Sequence, residues 1–352
     1  MSYTYEIDVK ALFTSRTEQF IAFGIPEADV LELQPLIMDM WIDAPGGWPY
    51  EWSVLAGRYL KAGNPFLASI AYGYAKFPCL ADEARRKALD NQLSAYLAAA
   101  TDFPVSFERR ILALPYCGEN VELPVHLFSH TGRFHDAPIL ICSGGIDTYK
   151  MDCHQLCVTL AQRLNITVLG FDMPGTAESP VPLSNAGDEL ILSLVQAARQ
   201  LGNGQVAHFG LSFGGNFSAM TGLSGAVDAA IVVGGPVDQS FDVEHIRNLP
   251  FRTADIIGND MGFDQQPNPQ QLRDALSLLV RRPLLDRKDN APMLIINGTD
   301  DDLVPQSDTQ VFEGRANTEV RLLPNTGHCA VSKFGEVLDI STQWLSTQLS
   351  LN

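Results

Sequence analysis

Residues 205–220 read QVAHFGLSFGGNFSAM and are predicted to form a strand, a sharp turn and the start of a helix. The strand is Val206–Phe209, and the small residues that follow the turn favour a tightly packed helix. Between them lies the pattern G-x-S-x-G, with Ser212 at its centre. A serine held in such a turn needs minimal neighbours two positions away on each side, and glycine occupies both. The pattern therefore predicts that Ser212 is a nucleophile at the N-terminal end of a helix.

Apolar segments alternate with helical patterns on both sides of this stretch. Two segments of alternating polarity, Phe107–Pro115 and Val121–Ser129, are predicted to pair as antiparallel strands. The further predicted strands are Pro138–Cys142, Thr167–Phe171, Val206–Phe209, Ala229–Val233, Met293–Asn297 and Glu319–Leu323. The predicted helices among and after them are Asp152–Leu164, Gly187–Leu201, Gln270–Val280 and Lys333–Leu349. This alternation predicts the α/β class, with a mostly parallel sheet, helices on both faces, and the chemistry at the carboxyl ends of the strands.

The first hundred residues have a different, helical pattern. The helices predicted there are Glu51–Lys61, Pro65–Lys76 and Asp82–Ala100. We therefore predict a helical N-terminal cap module at residues 1–103 and a catalytic domain at residues 104–352. Segment 236–290 departs from the strand and helix alternation and is a candidate lid. We expect the helical module to cover the active site, which would suit a small, enclosed substrate.

Four large side chains of the helical module, Met38, Trp41, Trp48 and Trp52, surround a Pro-Gly-Gly turn. Their proximity in sequence predicts a cluster with one of two uses. It would either pack the module against the rest of the chain or line a substrate pocket.

The composition restricts the classes of partner. With 24 Lys+Arg and 41 Asp+Glu, the net charge is −17, which argues against nucleic acid and anionic membranes. The sequence has no long apolar run and no basic, apolar leader, so a cytoplasmic location is expected. The six cysteines form no C-x-x-C pair and are expected to be free thiols, with no metal site. A small molecule is the expected partner, and a homodimer is left open.

A nucleophilic serine needs an imidazole base and a carboxylate that orients this base. After the strand Met293–Asn297 the chain reads GTDDDLVP, which brings three carboxylates to a strand end. The pattern G-x-x-D-x-x-V-P selects Asp301 as the orienting residue, and Asp300 and Asp302 are the alternatives.

The base is expected in the next loop, since the residues PNTGH follow the strand Glu319–Leu323 and end at His328. The oxyanion of the reaction needs two backbone N–H donors. One is expected from Phe213, which follows the serine, and the other from the loop SGGID at residues 143–147. Gly145 is the candidate second donor and Ile146 the alternative.

Two further motifs carry a resemblance to a known family. Residues 144–152 read GGIDTYKMD, and residues 172–179 read DMPGTAES, which matches D-x-P-G-x-G-x-S except that Ala177 replaces a glycine. With the order Ser212, Asp301, His328 and the helical N-terminal module, the chain from about Trp48 onward resembles the FrsA-like branch of the α/β-hydrolase superfamily. That branch includes 2,6-dihydroxypseudooxynicotine hydrolase and the Ayg1-type polyketide-shortening hydrolases.

The resemblance implies an α/β-hydrolase fold and a Ser-Asp-His hydrolase that needs no cofactor. Its members hydrolyse esters or cleave carbon–carbon bonds next to a ketone. The residue roles that it implies are nucleophile for Ser212, orienting acid for Asp301, base for His328, and oxyanion donors for Gly145 and Phe213. Carbon–carbon-cleaving members also use an acidic residue after the strand that follows the nucleophile, where this chain has Asp238 and Glu244. The alternative is a non-hydrolytic or binding role on the same scaffold, such as that of a lyase or an acyltransferase.

Overall fold

The structure is a computed structural model that describes residues 3–351, and the chain divides into two compact units. The first unit contains the chain as far as Phe103, together with Phe251–Asn259 and Phe263–Gln266. The second unit contains the remaining residues, beginning at Pro104. In the described part of the chain, no helix is both long enough and apolar enough to span a membrane. The role of the helical unit as a cap stays a prediction.

The first unit is helical, as the sequence predicts. Its N-terminal part contains α1 (Val9–Ala22), α2 (Glu27–Leu33), α3 (Trp48–Lys61), α4 (Pro65–Ala75), α5 (Glu83–Ala99) and a 3₁₀ turn at Ala100–Asp102. Three of these helices have an N-cap residue whose side-chain oxygen accepts backbone N–H groups of the first turn. The N-cap residues are Asp8 for α1, Asn64 for α4 and Asp82 for α5.

Aromatic side chains fill the core of this unit. Trp48 and Trp52 are fully buried and pack edge-on against Phe20, with ring centroids 6.1 and 4.9 Å from it. The indole N–H of Trp48 donates to the carbonyl of Tyr74 at 2.7 Å. Met38 does not join them, because its side chain is 67% exposed. The four-residue cluster predicted from the sequence is therefore wrong for Met38, which lies in a turn where its own N–H donates to the Gly46 carbonyl at 2.8 Å.

Arg85 is a buried cation whose removal should destabilise the first unit. Its fully buried guanidinium donates to the carbonyls of Phe77 and Met40 and to the carboxylate of Asp82, at 3.0, 2.5 and 2.5 Å. Arg85→Ala leaves these acceptors without their donor and is expected to lower the free energy of unfolding by about 3 kcal/mol. Urea unfolding followed by tryptophan fluorescence would measure this change, because three of the four tryptophans lie in this unit.

Arg86→Ala is the matched control for that measurement. Arg86 is exposed and donates only to the Leu80 carbonyl among the bonds described, at 2.9 Å. We expect its loss to change the free energy of unfolding by less than about 0.5 kcal/mol. Equal effects of the two substitutions would contradict a structural role for the buried guanidinium.

Among the described residues, the second unit forms a sheet of eight strands. Their order is β1-β2-β4-β3-β5-β6-β7-β8. The strands are β1 (Ser106–Tyr116), β2 (Glu119–Ser129), β3 (Ile139–Ser143), β4 (Thr167–Phe171), β5 (Val206–Leu211), β6 (Ala229–Val233), β7 (Met293–Gly298) and β8 (Thr318–Leu323). The β1–β2 and β2–β4 pairs are antiparallel, and the other pairs are parallel. The predicted α/β class and mostly parallel sheet are confirmed.

The remaining helices follow in chain order. They are α6 (His154–Leu164), α7 (Gly187–Leu201), α8 (Gly214–Leu223), α9 (Val243–Arg247), α10 (Thr253–Asp260), α11 (Pro269–Leu276), α12 (Arg282–Leu285), α13 (Gln306–Gln310) and α14 (Phe334–Gln348), with 3₁₀ turns at Gln239–Phe241, Pro250–Arg252, Ser277–Leu279 and His328–Lys333. Segment 236–290 thus contains more helix than the sequence predicts. These helices are short, and a short helix shows too few turns for its apolar period to be recognised.

The core of the sheet positions the carboxyl end of β5. All residues of β3, β4 and β6 are buried, which explains why their sequences are mainly apolar. All residues of α8 are buried as well. β5 lies between β3 and β6, with Ser143 opposite Gly210 and Leu211 opposite Val233. The loops after these parallel strands therefore meet at one edge of the sheet.

Candidate active site

Ser212 lies in the turn between β5 and α8 with a positive φ of 55°. Its N–H donates to the carbonyl of Val233 at 2.8 Å, which holds the turn against the neighbouring strand. A side chain with this backbone conformation is strained. Glycine is required at position 210, because a Cβ there would lie 2.2 Å from the carbonyl oxygen of Gly214. The G-x-S-x-G sequence thus forms the strained strand-to-helix turn that it predicts.

His328 connects the serine to a carboxylate. Its Nε2 lies 2.8 Å from Oγ of Ser212, and its Nδ1 lies 2.8 Å from Oδ2 of Asp301. Asp301 is in the loop after β7, and His328 is in the loop after β8. A neutral imidazole in this position donates its Nδ1–H to the carboxylate and accepts the serine hydroxyl at Nε2. The three residues predicted from three separate loops therefore form one hydrogen-bonded chain.

Asp301 differs from its two acidic neighbours in burial and in bonding. Its side chain is fully buried, whereas Asp300 and Asp302 are exposed. Its second oxygen, Oδ1, accepts the backbone N–H groups of Leu303 and Val304 at 2.8 and 3.0 Å. Of the three carboxylates in the loop, Asp301 is the one that the structure places against the imidazole.

Asn297, the penultimate residue of β7, supports this arrangement and was missed by the sequence reasoning. Its amide donates to Oδ2 of Asp301 at 2.7 Å. Its side-chain oxygen, Oδ1, accepts the backbone N–H groups of Gly298 and Cys329 at 2.9 and 3.1 Å. One buried amide thus joins the carboxylate to the residue that follows His328. The available signal was an amide at the end of an otherwise apolar strand.

The surroundings of His328 and Asp301 shift the pKa of both groups. Burial acts to lower the pKa of His328, but the Cys329 sulfur and the Asp301 carboxylate outweigh it and raise this pKa well above its ordinary value. Burial acts to raise the pKa of Asp301, but bonds from His328, Asn297 and the Val304 N–H outweigh it and lower this pKa. The pair therefore favours an ionised carboxylate beside an imidazole of increased basicity.

Gly145 and Phe213 approach Ser212 closely. A Cβ added at Gly145 would lie 2.9 Å from the serine Oγ, 2.8 Å from the serine Cβ and 3.6 Å from the backbone nitrogen of Phe213. Only glycine leaves room at this point of the loop after β3. Phe213 directly precedes α8, so its N–H lies at the positive end of the helix dipole. The two residues predicted to donate to the oxyanion therefore both lie next to Ser212.

The carboxylates of Asp238 and Glu244 are bonded elsewhere. Asp238 pairs with Arg282, and its backbone N–H donates to Oδ2 of Asp308 at 2.9 Å. The side chain of Glu244 is 73% exposed and pairs with Arg247. Among the described residues, the structure does not bring either carboxylate into a hydrogen bond with Ser212 or its two partners.

Sequence comparison relates the chain to a family of esterases. A family model described as "Esterase FrsA-like" matches residues 45–350. Esterase FrsA of Vibrio vulnificus (strain YJ016) is 25% identical over 341 residues, which cover 88% of this chain and 80% of that protein. Esterase FrsA of Photobacterium profundum is 26% identical over 295 residues, which cover 76% of this chain and 69% of that protein.

Structural comparison gives the same fold. Wild-type AbyA5 is similar with a TM-score of 0.81 and 18% identity, over 96% of this chain and 95% of that one. The 2,6-dihydroxy-pseudo-oxynicotine hydrolase is similar with a TM-score of 0.74 and 20% identity, over 94% and 95%. The α/β hydrolase GrgF from Penicillium sp. sh18 has a TM-score of 0.53 and 19% identity, over 69% of this chain and all of that one. The chain has the α/β-hydrolase fold and belongs to the FrsA-like family of esterases.

Proposed function

We propose that this protein is a cofactor-independent serine hydrolase in which Ser212 attacks a carbonyl carbon of the substrate. The observation that carries the proposal is the hydrogen-bonded chain from Ser212 through His328 to Asp301, with 2.8 Å at each step. The strained turn and the nearby Gly145 support it, because they hold the hydroxyl in the turn before a helix and bring the backbone of the loop after β3 close to it.

The proposed reaction has two halves. In the first, Nε2 of His328 takes the hydroxyl proton while Oγ of Ser212 bonds the carbonyl carbon, and the N–H groups of Gly145 and Phe213 bind the oxyanion. The imidazolium then protonates the leaving group, and an acyl-enzyme remains. In the second half, His328 takes a proton from water, the hydroxide attacks the acyl carbon, and Oγ leaves with that proton. The products are a carboxylic acid and the protonated leaving group.

Two substrate types fit this scheme. An ester would release an alcohol, and a ketone-adjacent carbon–carbon bond would release a stabilised carbanion that receives the proton of His328. We propose a small aromatic or polyketide-like substrate, since the chain shares its fold with a 2,6-dihydroxy-pseudo-oxynicotine hydrolase. Reaction in ¹⁸O-labelled water separates hydrolysis from the lyase and acyltransferase alternatives. A hydrolase incorporates the label into the acid product, and the other two do not.

Labelling by a fluorophosphonate tests the proposal directly, because an activated serine displaces fluoride from this reagent and becomes a phosphonate ester. We expect one adduct per chain, mapped by mass spectrometry to the peptide that contains Ser212. The matched control is Ser94→Ala, which removes an exposed hydroxyl bonded to the carbonyl of Asp90 and should leave labelling unchanged. Labelling that persists in Ser212→Ala, or no labelling of the unmodified protein, would contradict the proposal.

The pH dependence should report the raised pKa of His328. The imidazole accepts the serine proton only when Nε2 is unprotonated, so kcat/KM should rise with pH as His328 loses its proton. The midpoint should lie above about 6.5, the pKa of an unperturbed imidazole, because the net effect of its neighbours is to raise the pKa of His328. A profile of kcat/KM against pH on p-nitrophenyl acetate measures it. A midpoint below about 6.5 would contradict the expected effect of the neighbours of His328.

A further inference from the structure

A buried cluster of opposite charges lies beside the loop that carries Gly145. The side chains of Lys150 and Asp172 are fully buried and paired with each other. The Lys150 ammonium also contacts Glu178 Oε2 at 2.7 Å, and Arg109 binds the other oxygen of Glu178 at 2.8 Å. Two cations thus face two carboxylates, which leaves no net charge in the cluster. Removal of any one member would leave the cluster with an unbalanced buried or partly buried charge.

The cluster holds the loop through two contacts with Lys150, one to its backbone and one to its side chain. The Asp172 carboxylate accepts the backbone N–H of Lys150 at 2.8 Å through Oδ1 and binds its ammonium through Oδ2. The same Oδ2 also accepts the N–H of Glu178 at 3.2 Å, which ties the loop after β4 to itself. Lys150 is therefore fixed in both main-chain position and side-chain direction.

The other end of the loop is fixed to the nucleophile turn. The carbonyl of Gly144 accepts the N–H of Gly214 at 3.1 Å, and Gly214 begins α8 two residues after Ser212. Gly145 lies between this bond and Lys150. Its approach to the serine, with room for no side chain, thus depends on two anchors, one at the nucleophile turn and one at the charge cluster.

We propose that Lys150 is a positioning residue for the oxyanion donor at Gly145, an inference that rests on the proposed serine hydrolase function. The ion pairs of Lys150 with Asp172 and Glu178 hold the loop so that the Gly145 N–H faces the oxygen that becomes negative in the transition state. A displaced donor loses a large part of its effect on the barrier, since this effect depends on fixed geometry. Substrate binding before the reaction depends on it much less.

A role in stability alone is a weaker explanation for the cluster. Well-packed apolar side chains of similar volume often stabilise a protein as much as a buried ion pair or more. What a lysine between two carboxylates adds is a defined position and direction, and here that position lies five residues from Gly145. The loop itself is also braced locally, since the N–H of Tyr149 donates to Asp152 at 2.8 Å.

The test uses Lys150→Met in the full chain, with p-nitrophenyl acetate as substrate and fluorophosphonate labelling to count active sites. Per labelled site, kcat should fall by about 10² to 10³-fold, the usual loss for one oxyanion donor, and KM should change by less than about threefold. The affinity for phenylboronic acid should fall with kcat, because its adduct with Ser212 has an oxygen at the oxyanion position. Arg163→Met, which removes an exposed ion pair with Asp339, is the matched control and should behave like the unmodified protein.

Glu178→Gln and Asp172→Asn keep the test decisive if Lys150→Met does not fold. Each preserves the shape of the side chain and removes one charge, and each should lower kcat per labelled site by about tenfold or more with little change in KM. Unchanged kcat per labelled site in the folded variants, or a loss confined to KM, would overturn the positioning role. Failure of the unmodified protein to be labelled and to turn over the ester would instead overturn the proposed function.

Discussion

Replacement of Ser212 by alanine is expected to lower kcat by about 10⁴ to 10⁶-fold and to leave the fold intact. The hydroxyl is bonded to Nε2 of His328 at 2.8 Å, and the side chain lies at the partly exposed turn before α8. The substitution therefore removes the nucleophile and very little packing. Steady-state hydrolysis of p-nitrophenyl acetate measures the loss, and circular dichroism checks the fold. Ser224→Ala, which removes a hydroxyl at the other end of α8, is the control and should retain full activity.

The same experiment extends to a double variant. His328→Ala should cost about as much as Ser212→Ala, and the two changes together should cost little more than either alone, because residues that act as a unit are not additive. Losses that multiply in the double variant would show that the two side chains act separately. Full activity of Ser212→Ala would refute the serine mechanism.

Asp301→Asn is expected to lower kcat by up to about 10⁴-fold, because an amide donor facing Nδ1 forces the wrong tautomer of the imidazole. The hydrogen bonds around this carboxylate make the change more severe. Oδ2 accepts from His328 and Asn297, and Oδ1 accepts from two backbone N–H groups. An asparagine side chain has one oxygen that accepts and one NH₂ group that donates. In either orientation of the amide, its NH₂ group would face N–H donors that now bond a carboxylate oxygen. We therefore also expect a loss of about 1 to 3 kcal/mol in the free energy of unfolding.

The two neighbouring aspartates are the matched controls for this prediction. Asp300 and Asp302 are exposed, and Asn at either position should keep kcat within about threefold of the unmodified protein. The measurement is kcat on the same ester, together with urea unfolding of each variant. A comparable loss at Asp300 or Asp302 would show that the assignment of the orienting carboxylate is wrong.

The sheet and the hydrogen-bonded chain at its edge could be predicted because each depends on local sequence. Continuous apolar runs predict buried parallel strands, and Thr167–Phe171 and Ala229–Val233 have the same bounds in the structure. Ser212 and Asp301 each follow a buried strand in a recognisable turn, and His328 follows the less buried strand β8. Parallel strands bring their carboxyl ends to one edge, so the order of the loops was enough to bring the three residues together.

Three features escaped prediction, each for a different physical reason. Asn297 was missed because an amide at a strand end has no distinctive pattern until its partners, Asp301 and the N–H of Cys329, are known. The short helices Val243–Arg247 and Arg282–Leu285 were missed because they span only about one turn each. Met38 was grouped with the tryptophans because its side chain is apolar. The residue type does not show which way a side chain in a turn faces, and that of Met38 faces solvent.

The left-handed backbone conformation of Ser212 has opposite effects on the proposed activity and on the stability of the fold. A non-glycine residue in this conformation costs about 1 kcal/mol or more relative to a relaxed one. The folded state bears that strain whether or not substrate is present, so the reactive position of the hydroxyl reduces the margin against unfolding. Mutational drift towards greater stability would favour glycine at this position and would remove the nucleophile. A serine in such a turn is therefore a mark of selection for chemistry that works against selection for stability.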